Sequence, residues 1–160
     1  MNKWEIKGYS NSDFAGDIDG RKSISGYVIY LQGCPISWRS KGQKSVSLSS
    51  TEAEYMAVSE VATEILFIRS MLEFLGVKVE LPIEVNVDNI GAIFMAENMQ
   101  VSQSTKHIDT RLRFVNQYVD DGFIKIKFVG TNENDADLFT KNLGKDAHER
   151  HGEKLVEEKG

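Results

Sequence analysis

The spacing of apolar residues in this chain changes near residue 54, and that change limits the folds open to it. Counting from Glu54, the residues Val58, Val61, Ile65, Ile68, Leu72 and Leu75 advance in steps of four and three, which is one face of an α-helix that Gly76 ends. Upstream the period is two. Trp4, Ile6 and Gly8 alternate with Glu5, Lys7 and Tyr9; a turn-rich stretch at 16–20 follows, and Ser25–Leu31 is rich in β-branched and aromatic residues. A turn at Gln32-Gly33-Cys34-Pro35 leads to Ile36–Arg39, and Lys44–Ser49 continues that strand after a bulge or short loop at Gly42. Three strands with short connections make an antiparallel meander, closed by a long helix.

Beyond the helix, Ile83–Val87 alternates as a strand, and Asn89–Glu97 and then Thr105–Asp120 have helical patterns, the second stopped by Gly122. Phe123–Val129 is a further strand, and a final helix begins within Asn132–Asn134. The order β-β-β-α-β-α-α-β-α gives an α/β fold with an antiparallel and a parallel half to its sheet. At 160 residues, without repeats or a linker, the chain reads as one domain over 1–143 and a charged tail or peripheral helix over 144–160.

Charge is the feature most easily misread. A net charge of −5 argues against a uniformly basic surface, yet Gly20–Thr51 contains no acid and five cations, Arg21, Lys22, Arg39, Lys41 and Lys44. The rest of the chain therefore carries −10. A basic window of this kind permits contact with a polyanion and fits a solvated loop face equally well. The lone Cys34 excludes an internal disulfide, and no apolar stretch resembles a signal peptide or a membrane span, so an intracellular location (cytoplasm or nucleus) and no membrane partner are expected.

Three acids stand near element ends. Glu54 continues the apolar stripe toward the helix N-terminus, where an ionised carboxylate must be paired, hydrogen-bonded or metal-bound; Glu52 falls on roughly the opposite face. Capping is the alternative, since Ser49 with Glu52 and Thr51 with Glu54 both fit the capping box. Asp88 ends a strand, where α/β sheets place ligands, and fits an N-cap as well. Asp137 lies in the first turns of the last helix, where an acid also complements the macrodipole. Together they have the distribution expected of carboxylates that hold divalent cations.

The strings Gly8-Tyr9-Ser10-Asn11-Ser12-Asp13-Phe14-Ala15-Gly16-Asp17, Ile36-Ser37-Trp38-Arg39-Ser40-Lys41, Ser49-Ser50-Thr51-Glu52-Ala53-Glu54-Tyr55, Val87-Asp88-Asn89, Thr105-Lys106-His107-Ile108-Asp109-Thr110-Arg111 and Asn134-Asp135-Ala136-Asp137-Leu138-Phe139-Thr140-Lys141 occur in order and in register. Over residues 4–143 the chain closely resembles the ribonuclease H domain of copia-type retrotransposon polyproteins. The resemblance implies a ribonuclease H-like fold, a five-stranded mixed sheet with three antiparallel strands, two parallel ones and flanking helices. It implies cleavage of the RNA strand of an RNA–DNA hybrid with two Mg²⁺ ions, Mn²⁺ being an alternative. A monomer is expected, with the polyprotein's reverse transcriptase domain as a partner. Glu54, followed by Tyr55-Met56-Ala57, matches the family's helix glutamate, and Asp88 and Asp137 match two further metal ligands.

The fourth ligand position reads Asn11, where the family has Asp. An amide offers one neutral oxygen and an NH₂ that repels cations, so it does not replace a carboxylate bridging two metals. Asp13, two residues on and facing the same side, is a partial substitute displaced by roughly 6–7 Å. The basic residues, joined by Lys106 and Arg111, would contact the hybrid through its backbone and shape. His107 fits a proton shuttle, a phosphate contact or a hydrogen-bonded structural residue, and the structural role is favoured because Thr131 and Asn132 occupy the loop before Asp137, where many cellular relatives place a histidine. Two readings follow, a metal-dependent endoribonuclease impaired at Asn11 and a non-catalytic hybrid-binding module on the same fold. An unrelated interaction domain would leave the ordered strings unexplained.

Overall fold

The computed structural model describes residues 2–15, 22–44, 49–89, 91 and 109–140. The meander forms as β1 (Ile6–Asp13), β2 (Ile24–Leu31) and β3 (Cys34–Gly42). β1 runs antiparallel to β2 from Ile6 opposite Leu31 to Asp13 opposite Ile24. The β2–β3 turn is tight because Gln32 and Gly33 adopt positive φ, 53° and 78°. This pair is irregular between Ile29 and Tyr30: Tyr30 pairs with Pro35 and Ile29 with Ser37, leaving Ile36 as the extra residue. Pro35 lacks the N–H that a regular ladder needs, so the bulge falls beside it.

β3 ends at Gly42, and Gln43 then turns inward to donate through Nε2 to Ser25 Oγ (2.8 Å) and to the Ala53 carbonyl (2.9 Å). Residues 45–48 of the expected continuation lie outside the described residues. The helix α1 (Ser50–Phe74) starts where the apolar period changes. Ser49 is the N-cap, accepting from Glu52 N–H (3.1 Å), whereas Thr51 lies inside the helix. Glu52 is buried, contrary to the stripe argument, because every residue from Glu52 to Ser59 is enclosed. Ser12, Gln43, Arg111 and the Gly91 backbone all approach these first turns. Further along, Val58, Val61, Ile65 and Ile68 are buried as the period requires, whereas Leu75 is the exposed C-cap.

β4 (Ile83–Val87) lies parallel to β1, with Lys7 opposite Glu84 and Tyr9 opposite Asn86. The helix α2 (Asp109–Asp120) is followed by β5 (Ile124–Phe128), parallel to β4, and Gly122 takes the positive φ (79°) that ends the helix. The sheet order is β3-β2-β1-β4-β5. Val58, Val61 and Ile65 of α1 and Val115 of α2 share one core with Ile6, Ile29, Ile83, Val85, Ile124 and Ile126.

Where the final helix is expected to begin, the described residues form two 3-10 turns, Thr131–Glu133 and Asp135–Phe139. Asn134 separates them: its Oδ1 accepts from Ala136 N–H (3.0 Å) while its Nδ2 donates to the Ser10 carbonyl (3.0 Å). That dual bonding pins the chain to β1 and restarts the turn. Most of the helix expected at 89–97, residues 105–108 of the next one, the 143/144 boundary and the tail lie outside the described residues. Among the described residues no helix is long and apolar enough to cross a membrane.

Candidate active site

β1 sends alternate residues to opposite faces of the sheet. Gly8 and Ser12 face α1: a Cβ on Gly8 would lie 2.8 Å from Ile65 Cδ1, and Ser12 bonds Glu54. Tyr9 and Asn11 face the other way, toward the second 3-10 turn. Asn11 is buried there, its Nδ2 donating to Asp137 Oδ1 and to Thr140 Oγ1 (2.8 Å). Its cross-strand neighbour is Gly26, where a Cβ would stand 2.6 Å from Thr140 Cγ2 and 2.9 Å from Phe139 Cβ. The missing side chain lets the turn lie flat on β1 and β2. Tyr30 completes the dock, its hydroxyl donating to Asp135 Oδ2 (2.8 Å).

Glu54 reaches the same end of β1 from the opposite layer. One of its oxygens, Oε1, accepts from both the backbone N–H and the hydroxyl of Ser12, each at 2.9 Å. Asp88 follows directly on β4. Extended by two residues, the β1–β4 register would bring Asp88 level with Asn11. Glu54 and Asp137 thus meet consecutive residues at the C-terminal end of β1 from opposite layers, and Asp88 directly follows β4, the parallel strand beside it; the ends of parallel strands are where α/β sheets leave a crevice. Asp13 faces the same side as Asn11 but is exposed at the strand end, unlike buried Asn11, Glu54 and Asp137.

The donor set does not suit a pair of divalent cations. Hard cations need oxygen lone pairs, and the position between the acids presents amide hydrogens that engage Asp137 directly. Among the described residues, no group of three or more His, Cys, Asp or Glu side chains could hold a metal ion.

The cations are less uniform than the sequence suggests. Lys22, Arg39 and Lys44 are exposed, and Lys41 and Arg111 are half-buried; Arg21, Lys106 and His107 lie outside the described residues. Arg39 and Lys41 pair across strands with Tyr27 and Ser25 and so share their face with α1. There Arg39 and Arg111 line a cleft of about 470 Å³ together with Tyr27, Glu60, Glu64 and Phe114. Burial pushes the Glu60 carboxyl above its ordinary pKa, while Arg111, Lys41 and Arg39 pull it back in part. Acids from α1 therefore offset part of the basic window. Sequence reasoning missed these acids, as it missed Ser12, Tyr30, Thr140 and Asp135. Gly26 did carry a signal, a glycine inside a β-branched and aromatic run.

No protein-family model matches the chain. It is 43% identical over 136 residues to the retrovirus-related Pol polyprotein from transposon TNT 1-94 of Nicotiana tabacum, a match covering 85% of this chain and 10% of that protein. It is 37% identical over 154 residues to the corresponding polyprotein from transposon RE2 of Arabidopsis thaliana, covering 96% and 11%. The chain thus spans about a tenth of the length of these curated relatives. Among solved structures, the N-terminal RNase H domain of rv2228c from Mycobacterium tuberculosis superposes with a TM-score of 0.60 at 10% identity, covering 93% of this chain and 96% of that one. LC11-RNase H1 from compost gives 0.57 at 14%, covering all of both chains. The same enzyme in complex with an RNA/DNA hybrid gives 0.58 at 13%, covering 84% of this chain and 93% of that one. At such identities these structures establish the fold.

Proposed function

Since this chain is homologous to a segment of the retrovirus-related Pol polyproteins of copia-type transposons and has the ribonuclease H fold, we propose that it is their ribonuclease H-type domain, engaging RNA–DNA hybrids and hydrolysing the RNA strand with an efficiency impaired by Asn11. What supports this reading is that Glu54 and Asp137 meet consecutive residues at the C-terminal end of β1, with Asp88 directly following the adjacent parallel strand β4. Acids so placed, beside an exposed basic strand, suit phosphodiester chemistry better than any role in the core. Divalent cations supply such hydrolysis with an activated water and a stabilised leaving oxygen. The residues present do not provide for a pair of them, and this is the basis of the impairment. Support for the hybrid as substrate comes from the LC11 enzyme, which shares the fold and was solved with one. The reverse transcriptase segment of the parent polyprotein is the proposed partner.

A second reading, a hybrid-binding module without catalysis, is favoured by one contact, the Asn11 amide on Asp137. A gel assay on a labelled hybrid with Mg²⁺ or Mn²⁺ separates the two. Weak cleavage by this chain, raised by at least tenfold in Asn11→Asp, supports the impaired enzyme. Binding without cleavage by either protein supports the module. Absence of both binding and cleavage removes both readings.

A further inference from the structure

We infer that Asn11 acts as a built-in substitute for a cation, tying the 3-10 turn Asp135–Phe139 to β1 so that this corner of the fold is stable without metal. Asn11 and Asp137 are almost fully buried, at 1% and 3% exposure. A carboxylate so enclosed needs a donor or a counter-charge. Asn11 supplies a donor through Nδ2, which also bonds Thr140 Oγ1 and so holds the middle and the C-cap of the turn that Gly26 leaves room for. With an acid at position 11, two buried carboxylates would face each other, a repulsion that a shared cation or proton relieves. The neutral amide removes that repulsion, and with it the dependence on a cation. This inference concerns stability and goes beyond the proposed activity; it stands or falls without any cleavage being measured.

The test is thermal unfolding of the whole chain and its variants in EDTA and in millimolar Mg²⁺. The unmodified chain is expected to melt at the same temperature in both. Asn11→Asp is expected to melt roughly 5–15 °C lower in EDTA and to recover most of the loss in Mg²⁺. Asn11→Ala, which removes the donor and adds no charge, is expected to melt lower in both conditions with no recovery. A Mg²⁺ response of the unmodified chain equal to that of Asn11→Asp overturns the inference, as does an Asn11→Asp variant as stable in EDTA as the parent. If Asn11→Asp does not fold in EDTA, the side-chain NH₂ resonances of Asn11 in the parent decide the matter. They are expected to persist when Mn²⁺ is added, and their selective broadening would refute the tie.

Discussion

Ser12 donates both its backbone N–H and its hydroxyl to one oxygen of Glu54, each at 2.9 Å, so a single β1 residue anchors this buried acid of α1. Because Ser12 is adjacent to Asn11, neighbouring residues of one strand anchor acids from both layers of the fold.

Removing the hydroxyl while keeping the N–H tests how much of that anchoring is side-chain work. Ser12→Ala is expected to cost about 1 kcal/mol in urea unfolding, the worth of one hydrogen bond to a charged group partly compensated by the other. Glu54→Gln keeps an acceptor of the same shape and is expected to fold, yet to abolish any cleavage that Asn11→Asp restores. Cleavage undiminished in the double variant Asn11→Asp/Glu54→Gln would exclude Glu54 from the chemistry.

Two β-strand glycines should respond differently to the same change. At Gly26 the added methyl meets Thr140 Cγ2 at 2.6 Å and Phe139 Cβ at 2.9 Å, atoms held close to the backbone. Gly26→Ala is expected to cost about 1–3 kcal/mol and to speed amide exchange at Asp137 and Thr140. At Gly8 the nearest atom is the far end of Ile65, at 2.8 Å, which can swing aside. Gly8→Ala should therefore cost less than Gly26→Ala; equal losses would contradict the docking role of Gly26.

Hybrid binding, measured by anisotropy across a salt series, should weaken as salt rises, because phosphate contacts release counterions. Replacing Arg39 and Lys41 together with Ala should lower the magnitude of the slope of log affinity on log salt by roughly 1 for each lost contact. An unchanged slope would show that β3 does not touch the backbone.

Glu60 gives a pH signature whose sign follows from its surroundings. Its carboxyl titrates above 4.5 when folded, chiefly through burial, so the folded chain binds more protons than the unfolded one between the two values. The stability this contributes is present below the unfolded pKa and is lost as pH rises through the folded one. Relative to the parent, Glu60→Gln is expected to gain stability in urea unfolding as pH rises above the ordinary carboxylate value, and to level off once the folded Glu60 carboxyl has ionised. A difference that stays flat with pH would place the Glu60 titration at its ordinary value.

Local order was legible wherever one periodicity ruled a segment. The stripe from Val58 to Ile68, the stops at Gly76 and Gly122 and the alternating strand Ile83–Val87 all follow from side-chain spacing and glycine conformation, and the structure contains them. The last helix was misjudged because Asn134 bonds outward to Ser10, a partner 124 residues away that no local window contains. Glu52 was misjudged for a similar reason, since a helical stripe describes burial from one side and the start of α1 is enclosed on several.

The sequence by itself determined the succession of strands and helices, the acids at their ends and the substitution of an amide at position 11, because these depend on residue type and short-range spacing. Tertiary structure decided what those groups meet. It turned the Asn11 amide onto Asp137, hung Glu54 from Ser12 and brought Glu60 and Glu64 beside Arg39 and Arg111. Hydrogen bonds and charge pairs act over a few ångströms in space, and only the folded chain sets which distant residues come that close.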